Sequence, residues 1–355
     1  MQGDAEPVTE SKPKSGGRVK RVALVVFVTG ALLFVALEIV ARVRFGTPMA
    51  ERLPIVTIQA DPHTGWRMVP SLEHYTYMHR VRVNALGLRG PEVAPKADGE
   101  RRVLALGDSL IYGQGVADDQ TVPAHLEALL AEPAGAGASW SVVNAGHRAY
   151  DTHQELRLLG DLLPTVEPDV VVLFWFWNDI RERNTTETNA RLSASGPIAF
   201  DTGEPMEGGA VWRWRAKQLL RRSALVMTLH DLWRARKGAP PAQSEIDGAL
   251  TRLDRYLDSF RAEAAAGGFE LLFVALPDAN ALVDDPDAPH FTAEIAARAT
   301  ALAEEKGIAT CDVEPALEGL TRAERRLPVL PYDGHYTGAA NRAIAAAVAA
   351  CLRTE

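Results

Sequence analysis

The chain has 355 residues, enough for one large or two ordinary domains. Hydrophobic residues make up 47% and charged residues 24%, which suits a packed core, and the net charge of -8 argues against nucleic acid as the main partner. Two cysteines, Cys311 and Cys351, are too few for a disulfide scaffold and lack metal-ligand spacing, so they either pair in an oxidising compartment or stay as inert thiols.

Residues 1–21 read as a disordered cytoplasmic tail, since Met1 to Gly17 is polar and aperiodic. Residues 22–41 are apolar except for Thr29, Gly30 and Glu38, long enough to cross roughly 30 Å of hydrocarbon as a helix. Glu38 lies near the end of this run, and Arg42, four residues on, is placed to pair with it. Lys12, Lys14, Arg18, Lys20 and Arg21 flank it on the N-terminal side against Arg42 and Arg44 on the other. That bias keeps the N-terminus cytoplasmic and places the chain beyond residue 45 in the periplasm or outside the cell. A cleaved signal peptide is the competing reading. No small-x-small site comes after the run before Arg42, which favours an uncleaved anchor.

Residues 42–101 contain no long periodic segment and read as a membrane-proximal decoration. Val81 and Val83 alternate with polar residues like a half-exposed strand, and Asn84, Gly87 and Gly90 are turn residues. His74, Tyr75, Tyr77 and His79 either line a site or sit on a surface strand.

From Arg102 the chain alternates strands and helices. Val103 to Leu106 is a buried strand ending at Gly107, with Asp108 and Ser109 next. Val122 to Ala131 is helical, and Ser141 to Asn144 is a strand leading into Ala145-Gly146. Gln154 to Leu163 has helical spacing. Asp169 to Trp177 is a continuous apolar run, suited to a central parallel strand, and ends in Asn178-Asp179. A long helix carries Ile246 to Phe260 and closes at Gly267-Gly268. Leu271 to Leu276 is a strand, Phe291 to Lys306 a helix and Ile308 to Val313 the fifth strand. A final Ala-rich helix runs from Thr337, suited to cap it, to Cys351. The pattern predicts a parallel sheet with right-handed crossovers and helices on both faces.

Arg181 to Ala242 interrupts this alternation. Gly203 to Gly209 is loop-like, and Val211 to Lys237 carries eight Arg or Lys against one Asp, with Trp212, Trp214, Trp233 and an apolar stripe. It is read either as an amphipathic helix packed on the core or as a cap that touches a membrane surface or an acidic polymer.

Four polar groups come after strands or precede the last helix: Ser109, Gly146, Asn178 and His335. A serine at the carboxyl edge of a buried strand suits a nucleophile, and histidine is its usual base. Asp333, two residues before His335, can orient the imidazole. The backbone N–H groups of Ser109 and Gly146 and the Asn178 amide are candidate oxyanion donors. Asp108 suits bracing of the loop better than chemistry, while His147 and His153 lie close enough to the second group to touch substrate. A Gly-x-Ser-x-Gly elbow is absent.

Gly107-Asp108-Ser109-Leu110, Asn144-Ala145-Gly146, Asn178-Asp179 and Asp333-Gly334-His335 resemble, in order, the four blocks of the SGNH (GDSL) hydrolase family, of the exported bacterial type with an N-terminal anchor. The resemblance covers roughly residues 102–355, with the insertion at about 181–242. It implies a flavodoxin-like three-layer αβα sandwich with a five-stranded parallel sheet, and ester chemistry without metal or organic cofactor. It also implies Ser109 as nucleophile, His335 as base, Asp333 as orienting acid, and Ser109, Gly146 and Asn178 as the oxyanion hole. Two positions depart from the family pattern. Phe176 stands where glycine is usual, two residues before the asparagine, and Asp333 is two rather than three residues before the histidine. The expected function is a membrane-anchored, extracytoplasmic serine esterase acting on an acyl ester, such as acetyl, of an envelope carbohydrate or lipid. The alternatives are an O-acyltransferase acting on a polysaccharide through the same site, and a non-catalytic polymer-binding protein.

Overall fold

The computed structural model describes residues 16–131, 139–182, 185–200, 207–235, 240–284, 290–324 and 328–354; residues 1–15 of the N-terminal tail and 203–206 of the insertion's loop lie outside them. Helix α1, Gly16–Phe45, is long and apolar enough to cross a membrane, and its side chains from Val22 to Leu37 are exposed. After it come two antiparallel pairs, β1 Thr57–Asp61 with β2 Gly65–Met68, and β3 Glu73–Thr76 with β4 His79–Arg82.

The α/β core begins with β5, Glu100–Gly107, then α2 Ser109–Tyr112, α3 Val122–Ala131, β6 Ser139–Gly146, α4 Thr152–Val166 and β7 Val170–Phe176. After the insertion, α5 Thr185–Ser195, β8 Ile198–Ala199, α6 Gly208–Arg221 and α7 Ala224–Ala235, it resumes with α8 Gln243–Gly267 and β9 Glu270–Leu276. It closes with α9 Ala279–Asp284, α10 Phe291–Glu305, β10 Ala309–Thr310, α11 Glu314–Ala323 and α12 Gly338–Thr354.

The five core strands are parallel in the order β10-β9-β7-β5-β6. Counted within the core this is the flavodoxin-like order 2-1-3-4-5, with the switch point between β5 and β7. Successive β5 residues face opposite layers. Leu104 and Leu106 join the cluster of α4, α8 and α10, while Val103 and Ala105 join that of α3, α11 and α12. Both faces are covered, which explains why the sequence reads as continuous apolar runs here.

The fifth strand is shorter than Ile308 to Val313. Cys311 still pairs through its N–H with Phe273 O at 3.1 Å, but the Asp312 carboxylate then accepts the Glu314 N–H at 3.0 Å and starts α11. Thr337 caps α12, accepting the Ala340 N–H at 3.2 Å. Cys311 and Cys351 form a disulfide, with 6.1 Å between their Cα atoms.

The stretches before and inside the core are joined. β8, from the insertion, pairs with β1 in the sheet β2-β1-β8. The basic stretch from Val211 is two helices rather than one, broken at Arg222-Ser223. Glu38 of α1 holds the break in place. Its carboxylate accepts from Ser223 Oγ at 2.7 Å, Ala224 N at 3.0 Å and Leu225 N at 2.9 Å, capping α7 from outside. Arg42 pairs with Glu38 as the spacing suggests, at 2.7 Å, and also donates to Arg222 O at 2.7 Å.

Candidate active site

Ser109 is the first residue of α2, so its N–H has no intrahelical acceptor. Asp108 caps the helix, accepting the Leu110 N–H at 2.8 Å, and its other oxygen accepts from Asn178 Nδ2 at 3.0 Å. Asp108 therefore braces two loops at once, the one after β5 and the one after β7.

His335 arrives from the opposite end of the chain. Leu330 N donates to His335 O at 2.8 Å and Val329 bridges Tyr336, which folds residues 329–336 into a tight loop. Within it His335 Nε2 lies 2.8 Å from Ser109 Oγ, and His335 Nδ1 hydrogen-bonds Asp333 Oδ1. Burial pushes the Asp333 carboxyl up. The imidazole charge, its N–H and the Tyr77 hydroxyl outweigh burial and hold it at about 2. The acid is an anion at any physiological pH, the state that can fix the tautomer of the imidazole and stabilise its charge.

The expected oxyanion donors are not equivalent. Asn178 commits one amide hydrogen to Asp108 and keeps a second. The Gly146 N–H is already bound to Asn144 Oδ1 at 2.9 Å, which argues against the donor role expected for it. Its own reason for being glycine is steric. A Cβ at 146 would come 2.1 Å from Tyr112 N and 2.5 Å from Ile111 C, inside α2. Phe176 packs against the cluster that holds Leu276 and Ala279. His147 is buried, stacks on Tyr150 at 4.5 Å and is pushed down to about 4 by burial, so it is a neutral core residue. His153 accepts from Arg157 at 2.9 Å on the surface.

Four contributors were not singled out for this role by the sequence. Tyr77, at the turn of the β3–β4 hairpin, donates to Asp333 Oδ2. Burial, then the Asp333 charge, raise its hydroxyl, so it stays protonated and remains a donor. Gln114 Nε2 donates to the same oxygen at 3.4 Å. Arg89 is buried and donates to Tyr112 O at 2.9 Å, Gly113 O at 2.6 Å and Val116 O at 2.8 Å, pinning the carbonyl end of α2. His74, pushed down to about 3 by burial and then by the charges of Arg89 and Arg148, bonds the Tyr112 hydroxyl at 2.6 Å. The aromatic and histidine cluster thus divides: Tyr77 reaches the site, and His74 supports the helix beneath it.

A cleft of about 310 Å³ lies beside Asp333, between the end of α1 at Phe45 and Gly46, α7 at Asp231 and Arg234, and the loop around Tyr332. A larger cleft of about 380 Å³ runs along the β6 edge and holds none of Ser109, Asp333 and His335. Among the described residues no group of His, Cys, Asp and Glu is arranged to hold a metal.

No curated protein matches the chain. Solved structures that resemble it include TesA (20% identity over 72% of this chain and 99% of that one, TM-score 0.42). Another is a form of Axe2, an acetyl xylan esterase from Geobacillus stearothermophilus (14% identity, 71% and 94% covered, TM-score 0.40). A third is a two-domain esterase active on acetylated mannans (12% identity, 72% and 50% covered, TM-score 0.42). The model of the GDSL-like lipase/acylhydrolase family matches residues 105–343, a span that holds the loops after β5, β6 and β7 and the loop before α12. The chain belongs to that family and is a serine ester hydrolase.

Proposed function

We propose that the protein is a membrane-anchored, extracytoplasmic esterase that removes an acyl group from an envelope carbohydrate or lipid through an acyl-enzyme. The single observation that carries this reading is the 2.8 Å contact between Ser109 Oγ and His335 Nε2, with Asp333 on the far nitrogen. Ser109 Oγ attacks the ester carbonyl as His335 takes its proton. The developing oxyanion is met by the Ser109 N–H and the free hydrogen of the Asn178 amide. His335 then protonates the departing alkoxide, and the ester bond is broken. Water, deprotonated by the same imidazole, attacks the acyl-enzyme and releases the acid and free Ser109. The side chain of His335 keeps 20% exposure and that of Asp333 8%, which leaves the base the more accessible of the two. The apolar α1 supports the anchor, and the disulfide supports an oxidising compartment for the catalytic domain.

The test is turnover of a p-nitrophenyl acetate to octanoate series by the full chain in detergent, beside fluorophosphonate labelling. Ser109→Ala is expected to lose turnover by on the order of 10⁴-fold or more, and to lose the label, with an unchanged melting temperature. Labelling at another residue, or full turnover by the variant, overturns the reading.

A further inference from the structure

α6 and α7 each carry an apolar stripe that no other described element covers. Trp212, Leu219 and Leu220 on α6 are 77%, 68% and 60% exposed, and Leu229, Leu232 and Trp233 on α7 are 57%, 58% and 55% exposed. Their spacings, i, i+7, i+8 and i, i+3, i+4, put each trio on one side of its helix. The other sides are in use, with Trp214 and Gln218 buried on α6 and Ala224 and Met227 buried on α7. Patches of this kind on a folded domain mark an interaction surface.

Two further features say what the surface meets. From Gly208 to His230 the chain has Arg213, Arg215, Lys217, Arg221 and Arg222 and no acidic residue, in a protein whose net charge is -8. The helix pair is also continuous with the spanning helix. The start of α7 is held by Glu38 and the α6 terminus is tied to Arg42, so the break between them lies within two turns of the end of α1 at Phe45. An apolar stripe with tryptophans, a basic flank and a fixed position where a spanning helix leaves the hydrocarbon are together the features of an interfacial helix. We propose that α6 and α7 form a membrane-surface binding face for anionic phospholipid. Trp212, Leu219, Leu220, Leu229, Leu232 and Trp233 enter the boundary between headgroups and acyl chains of the bilayer that α1 crosses, and the exposed Arg215, Lys217 and Arg222 meet lipid phosphates. The cleft beside Asp333, walled by Phe45 and α7, is then held at the lipid surface.

The proposal rests on α1 crossing the bilayer, and the test separates the two. The full chain is placed in nanodiscs of phosphatidylcholine and phosphatidylglycerol, with or without dibrominated acyl chains, and tryptophan emission is read. Five of the seven tryptophans are buried or partly buried in the body of the protein, leaving Trp212 and Trp233 as the exposed pair. Bromine-dependent quenching is expected, and the Trp212→Tyr, Trp233→Tyr double variant should lose about half of it or more. Circular dichroism confirms that the variant is folded. Co-flotation with unchanged quenching overturns the proposal alone. A chain that does not float with the discs overturns the spanning role of α1 and the proposal with it. Unchanged quenching with two chains per disc that fall to one in the variant assigns the face to a second copy, and also overturns it.

Discussion

Asp333 accepts from four donors. The ring and the backbone N–H of His335, the latter at 3.3 Å, come from its own loop, while Tyr77 and Gln114 come from elsewhere. The outer pair holds the carboxylate in place, and in the proposed mechanism it does so while the imidazole gains and loses charge. Hydrogen bonds to charged groups are worth about 1.5–3 kcal/mol. Tyr77→Phe keeps the ring and removes the donor, and kcat on p-nitrophenyl acetate is expected to fall about ten-fold with KM little changed. An equal loss in KM would mean that Tyr77 shapes the pocket instead. The sequence marked Tyr77 only as one of four clustered ring residues. Its part depends on how far one short hairpin reaches across the molecule, which local periodicity does not encode. Ser109 and His335 were easier to see, because each stands beside glycine and aspartate at the end of an apolar run.

At the scale of elements, α2 is a single turn, too short to stand alone. Asp108 caps its start and Arg89 gathers the carbonyls at its end, with Asp118 accepting from the Arg89 Nε at 2.9 Å. Arg89→Met should destabilise the protein by about 3 kcal/mol in urea unfolding, and Arg89→Lys should not restore it, since one ammonium cannot span the same acceptors. α4 holds a second device. Glu155 is fully buried in its first turn, and burial, then the negative charges of Asp179, Asp108 and Asp151, raise its carboxyl well above the ordinary range. Its surroundings favour the neutral acid in the folded chain. The stability it gives is therefore full below the unfolded carboxyl value and is lost as pH rises through the raised one. Glu155→Gln cannot titrate, so its melting temperature relative to wild type should climb from pH 5 to pH 9. A constant difference would show that Glu155 does not change its charge over that range. The central strands β5, β7 and β9 were legible because each carries an apolar run buried on both faces. The edge strand β10 was overestimated because one run of apolar residues can also be a strand's end plus a capped turn. The split of the basic stretch into α6 and α7 was hidden, since its cause, Glu38, lies 185 residues away.

On the scale of the molecule, the last helix is fastened twice. α12 packs on α3 and α11 under one face of the sheet, and the disulfide links its end to the β10 edge across 40 residues. Closing a loop of that length removes about 4 kcal/mol of unfolded-state freedom in the chain-entropy view. Cys351→Ser is expected to lower unfolding free energy by about 2–4 kcal/mol with turnover nearly intact, because both sulfurs lie outside the site. The other end of the fold is fastened through α1. A β-carbon on Gly46, which has φ +94, would come 2.7 Å from Pro331 Cγ, so the chain leaves α1 in contact with the loop that carries His335. Proteolytic cleavage just before Gly46 would thus leave an altered protein. It would take away the carboxylate that caps α7, worth about 1 kcal/mol, loosen α6 with its Arg221 beside the Tyr77 hydroxyl, and leave Asp333 less firmly held. An assay on a form trimmed before Gly46 should report slower turnover than one on the full chain.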